Sequence, residues 1–122
     1  MADDKLQIRV FDGAHLGERI MALEGVLNSE TAFRLRDHIG SPGPMALVID
    51  MTGVRYVDSS GLGVLIGLYV SFEQTSRRLL LAGINDRVWD LFRVCKIEGV
   101  FTRYATVSEA ENTADLATAR AD

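Results

Sequence analysis

The chain has 122 residues, 48% hydrophobic and 25% charged, with a net charge of -4, which fits one globular domain and excludes a disordered or collagen-like chain. Its basic residues form no cluster longer than Arg77-Arg78, which argues against a nucleic-acid partner, whose phosphates demand a concentrated basic face. Cys95 is the single cysteine and closes no internal disulfide, and the acidic N-terminus Met1-Ala2-Asp3-Asp4-Lys5 does not resemble a secretory signal. The longest apolar run, Leu62 to Val70, is too short to span a bilayer. The expectation is a cytoplasmic protein with no membrane insertion and no direct nucleic-acid contact, acting on another protein.

Leu6, Ile8 and Val10 alternate with polar neighbours, and after a turn at Asp12-Gly13 the segment Ile20 to Leu23 resumes an apolar pattern, which predicts a hairpin. Ser29-Glu30-Thr31 opens a predicted helix, capped by Asn28 or Ser29, with Ala32, Phe33, Leu35, Arg36 and Ile39 along it. Gly40-Ser41-Pro42-Gly43-Pro44 ends that helix, because such a run cannot continue one. Met45 to Met51 reads as a strand buried on both faces, followed by a short link.

A second helix starts at Asp58-Ser59-Ser60-Gly61 and runs to about Thr75, with Asp58 or Ser59 as cap. Arg78 to Ala82 reads as a strand, Asp86 to Val94 as a helix capped by Asn85, and Val100 to Tyr104 as a last short strand. The tail, Ser108 to Asp122, is a final helix or frayed. Strands alternating with helices predict an α/β fold: a mixed, mostly parallel sheet with an antiparallel edge strand, packed with about four helices in a single domain over residues 1–122.

The segment from Val57 to Leu65 sets two hydroxyls and two glycines where a loop turns into a helix. A helix start offers backbone N–H groups and a partial positive charge, and so accommodates an anion or a phosphoserine. On residue chemistry alone, Asp58, Ser59 and Ser60 read equally well as an ordinary cap. A dinucleotide fingerprint is excluded because Gly61, Gly63 and Gly67 are spaced one residue too long and Leu81 sits where an acid is wanted. A phosphate loop is excluded by the lack of Gly-Lys-Ser or Gly-Lys-Thr. A hydrolase elbow is disfavoured because Asp58 and Leu62 flank Ser60 where glycines belong. No enzyme, cofactor or metal site is expected; His15 and His38 lack suitably spaced partners.

Asp58-Ser59-Ser60-Gly61-Leu62-Gly63, preceded by Val48-Ile49-Asp50-Met51 and followed by Leu79-Leu80-Leu81-Ala82-Gly83, resembles the anti-sigma factor antagonists of bacteria, members of the STAS domain family. The resemblance runs from about Ile8 to Val107 and includes the Thr31-Ala32 helix start. It implies a STAS-type fold and a protein that binds an anti-sigma factor serine kinase, so releasing a sigma factor. Ser60 would be the phosphorylated residue, and a PP2C-type phosphatase would restore the active form. It further implies partner contacts at Asn28, Thr31, Asp58, Ser59, Gly61, Leu62 and Gly63. Gly25-Val26-Leu27-Asn28 stands where the family usually has Gly-Glu-Leu-Asp, so Asn28 keeps the capping ability of the aspartate and loses its charge. An alternative is a STAS scaffolding subunit of a larger assembly, such as a lipid transporter, in which Ser60 is only a cap. A third is a module binding a small molecule or nucleotide at the helix start.

Within the second helix, Leu62, Leu65, Ile66 and Tyr69 are expected to face the sheet, with Val64, Leu68 and Ser71 on another stripe. That outer stripe is either buried or a docking face, and Gly63 and Gly67 form a track open to another backbone. Cys95 is expected to be buried and Trp89 to pack in the core; Asp86, Arg87, Asp90 and Arg93 are expected to form a solvated, charge-paired helix face.

Overall fold

Successive side chains of a strand point to opposite faces of its sheet, so an uninterrupted apolar strand demands cover on both sides. In the strand that contains them, Leu47, Ile49 and Met51 pack into one buried cluster, and Ala46 and Val48 into a second across the sheet. The computed structural model describes residues 6–41 and 43–113; the expectations for the first five residues, for Pro42 as a helix breaker and for the tail beyond residue 113 lie outside the described residues.

The elements are β1 (Gln7–Asp12), β2 (Glu18–Leu27), α1 (Arg34–Asp37), β3 (Ala46–Val57), α2 (Ser59–Gln74), β4 (Arg78–Ala82), α3 (Asp86–Val94) and β5 (Arg103–Tyr104). A last helix, α4, begins at residue 107 and is described to residue 113. The five strands lie in the order β1-β2-β3-β4-β5. β1 pairs antiparallel with β2, and every other pair is parallel, as the alternation of strands and helices predicts. Side chains of α1, α2 and α3, among them Leu35, Leu65 and Phe92, fill the larger cluster on one face of the sheet. Ala110 and Val107 of α4 pack on the other face against Ile20, Val48, Leu80 and Tyr104.

The first helix, the third strand and the last strand differ in extent from the sequence reading. The first helix is only Arg34–Asp37, because residues 31, 34, 35 and 36 close tight bonds to carbonyls three residues back, as in Thr31 N–H to Asn28 O and Leu35 N–H to Ala32 O. The link after Met51 is strand: β3 continues to Val57 beside β2. Its alternation is broken by irregular pairing, in which Gly25 lies opposite Val54 and Val26 opposite Tyr56, leaving Arg55 as an extra residue. The last strand shrinks to Arg103–Tyr104, with the buried Phe101 ring edge-on to Tyr69 and Phe92 in place of sheet pairing.

The buried stripe of α2 is Gly61, Leu62, Leu65, Leu68 and Phe72; Leu68 is thus buried, whereas Val64, Ile66 and Tyr69 are only half-buried. Cys95 is exposed, contrary to expectation, because the α3 chain ends there and turns back through Lys96, whose φ is +60°. Trp89 is half-buried and stacks on Phe92 at 5.1 Å between centroids. On the outer face of α3, Asp90 pairs with Arg93, but Asp86 pairs with Arg103 of β5 at 2.6 Å.

Candidate functional site

The site is made by two parallel strands that end together. Leu27 at the end of β2 lies beside Val57 at the end of β3, so Asn28 and Asp58 leave the sheet as neighbours. The Asp58 N–H donates to Leu27 O at 3.0 Å, tying the start of α2 to the end of β2. Asp58 is then the cap: its backbone is extended and its carboxylate accepts from the Gly61 N–H at 2.9 Å. Ser59 and Ser60 are the first two helical residues, and both are exposed. Their N–H groups belong to the turn whose donors have no intrahelical acceptor.

Gly61 fixes how close this helix comes. A Cβ there would lie 2.5 Å from Leu27 O and 2.9 Å from the Leu27 carbonyl carbon, so the contact between α2 and β2 is possible only without a side chain. Two residues on, the opposite holds. Gly63 is exposed, and a Cβ there would meet nothing within 4 Å. Gly61 therefore serves the packing of the fold, whereas the absence of a side chain at Gly63 answers no requirement among the described residues.

The neighbouring turn is held by Asn28 and Thr31. The Asn28 side-chain oxygen accepts from the N–H groups of Glu30 at 2.9 Å and Thr31 at 3.1 Å. In return the Asn28 N–H donates to the Thr31 hydroxyl oxygen at 3.0 Å, and that hydroxyl donates to Val26 O at 2.7 Å. Asn28 thus caps the tight turn that precedes α1, whereas α1 itself has Phe33 at its N-cap and no side-chain cap, and the neutral amide adds no charge beside Asp58.

The expected partner residues divide into two sets. Ser59 and Gly63 are exposed and Asn28 and Asp58 half-buried, together with exposed Ser60, at one end of the sheet. Thr31, Gly61 and Leu62 are buried and lie behind the outward group. Sequence reading passed over Tyr56 and Phe33, which are 51% and 57% exposed. Tyr56 is placed outward by the irregular pairing at Arg55, and Phe33 by the tight turns before α1, neither of which the apolar pattern signals. Large exposed aromatics beside a helix start are the side chains that anchor protein interfaces.

Among the described residues no group of His, Cys, Asp and Glu is arranged to hold a metal ion, and no helix is long and apolar enough to cross a membrane. The strand-cap-helix arrangement is that of a STAS domain. The model of that family matches residues 8–110, and the chain belongs to it. It is similar to the anti-sigma-B factor antagonist of Listeria monocytogenes, 39% identical over 56 residues, or 46% of this chain and 49% of that protein. The chain thus spans about half the length of the curated relatives it matches.

Two solved structures share the fold. One is a sulfate transporter family protein from Wolinella succinogenes, with a TM-score of 0.76 and 22% identity over 86% of this chain and 90% of that one. The other is the Bacillus cell fate determinant SpoIIAA in its phosphorylated form, with a TM-score of 0.67 and 17% identity over 88% of this chain and 98% of that one.

Proposed function

We propose that this STAS domain is an anti-sigma factor antagonist: unmodified, it binds an anti-sigma factor serine kinase and so releases a sigma factor, and phosphorylation of Ser60 switches it off. The observation that carries this reading is the placement of Ser60, an exposed hydroxyl in the first turn of α2, reachable by a kinase and able to lie inside a docked interface. The Listeria relative, named an anti-sigma-B factor antagonist, supports the class of function, and the solved phosphorylated form of SpoIIAA supports a STAS fold that carries a phosphate.

The physics of the switch is electrostatic. A phosphate on Ser60 adds about -1.5 to -2 charge. The helix start tolerates it locally, so the fold persists. Buried against a partner, the same charge must be desolvated next to Asp58 and Glu30, at a cost of several kcal/mol on the order of that for any uncompensated buried ion. Partner contact falls to Asn28, Asp58, Ser59 and Gly63, while Thr31, Gly61 and Leu62 hold them in place. ATP and Mg²⁺ belong to the kinase, and a PP2C-type phosphatase reverses the reaction; the domain itself performs no catalysis.

The test is incubation of the purified domain with the serine kinases of its own genome and ATP, then mass spectrometry of the peptide containing Ser60. Phosphate on Ser60 is expected. Its absence with every kinase, together with tight association with a transporter subunit, would move the reading to a scaffolding subunit.

A further inference from the structure

A cavity lies toward the far end of α2 from Ser60. It is a groove of about 460 Å³ between the end of α1, the loop that follows it and the C-terminal half of α2, within the size range of small-molecule sites. Leu68, Ser71 and Phe72 border it, and Leu68 lies eight residues beyond Ser60, or ~12 Å along the helix axis. It is therefore distinct from the helix start.

Its lining is unusual for this protein. The chain carries a net charge of -4, yet among the described residues the groove is lined by two arginines, Arg36 and Arg77, with the hydroxyls of Ser41 and Ser71, and by no acid. The apolar part of the lining is Ile39, Met45, Leu68 and Phe72, of which Ile39, Leu68 and Phe72 are buried. Met45, 61% exposed, stands at the rim as a flexible apolar flank.

The two guanidiniums are differently held. Arg77 is fixed: its Cζ lies 4.1 Å from the Phe72 ring centroid, its Nε donates to Thr75 Oγ1 at 2.8 Å, and Nη1 donates to Pro44 O at 3.4 Å. A guanidinium has five N–H donors, so this anchoring leaves others for a ligand. The Arg36 guanidinium forms no hydrogen bond or ion pair among the described residues. Glycines leave the room both occupy, since a Cβ on Gly43 would collide with Arg77 Nη1 and one on Gly67 would lie 2.9 Å from Arg36 Nη2.

We propose that this groove binds a small amphiphilic anion, its head group held by Arg36 and Arg77 and its short apolar body laid against the exposed Met45 side chain. Planar guanidiniums match carboxylate and phosphate oxygens in bidentate geometry. The apolar flank selects a ligand with a tail over a bare inorganic ion. The site is independent of phosphorylation at Ser60.

Isothermal titration of the full chain with octanoate tests the proposal, with 1-octanol and inorganic phosphate as the tail-only and head-only probes. Octanoate is expected to bind one site, and each control at least about tenfold more weakly. Arg36→Gln, which removes a guanidinium without an internal bond, should weaken octanoate at least about tenfold while leaving the circular dichroism unchanged; Arg77→Gln should act in the same direction. The proposal is overturned if octanoate does not bind, if Arg36→Gln leaves its affinity unchanged, or if either control binds as tightly as octanoate.

Discussion

Gly61 and Gly63 are separated by one residue and have opposite reasons for being glycine. At Gly61 the Leu27 backbone occupies the space a methyl would need, so Gly61→Ala must push α2 away from β2. A cost of about 1–3 kcal/mol is expected, read as a lowered urea midpoint. At Gly63 the space is open, and alanine is the better helix former. Gly63→Ala should raise stability by about 0.5–1 kcal/mol, yet weaken binding to the proposed partner kinase. A variant that is more stable but binds less well would mark Gly63 as a contact residue; unchanged affinity would remove it from the interface. Ser60 and Asp58 were legible at this scale because a cap and its helix are local features. The inward placement of Thr31 and Gly61 was not, since it depends on Val26 and Leu27, which long-range pairing brings there.

Among the elements, α2 joins the core to the site. Leu65 is fully buried in its sheet-facing stripe, so Leu65→Ala should cost about 2–5 kcal/mol, measured by denaturant unfolding. The same substitution at exposed Val70 should change stability by less than about 1 kcal/mol. Helices α2 and α3 and strand β4 were legible because each has a cap or an uninterrupted apolar run. The second half of β3 was not: Gly53 and the extra Arg55 break the period-two pattern, so Thr52 to Val57 reads as a link although it pairs with β2. The early part of the first helix was misread for the converse reason, a helical apolar spacing laid over tight turns tied down by Asn28 and Thr31. The stripe of α2 was misassigned because its apolar residues cover more than one face, so periodicity alone does not separate Leu68 from Ile66. Exposed Tyr56 follows from the β3 irregularity and stayed hidden with it.

At the scale of the whole molecule, α4 closes the second face of the sheet and is clasped at one end by paired carboxyls. The Ala14 N–H donates to Glu18 Oε2 at 2.9 Å and to Glu111 Oε2 at 2.6 Å. Burial, with Glu111 as its neighbour, pushes Glu18 from 4.5 up to about 7, against the Ala14 N–H and the His15 ring, while Glu111 is lowered, chiefly by its hydrogen bond with Glu18. The folded chain therefore holds a proton on Glu18 that the unfolded chain has released, and this contribution to stability declines as pH rises from about 4.5 to about 7. Relative to Glu18→Gln, the natural chain should lose melting temperature between pH 5 and pH 8; parallel profiles would exclude a retained proton. The central claim concerns the opposite end of the molecule, and binding measures it most directly. The unmodified domain, the domain phosphorylated on Ser60, Ser60→Ala and Ser60→Asp should be titrated against the partner kinase. Ser60→Ala should bind like the unmodified chain, the phosphorylated form at least about tenfold more weakly, a difference of about 1.4 kcal/mol or more, and Ser60→Asp between the two. Equal affinity of the phosphorylated and unmodified forms would contradict the switch at Ser60.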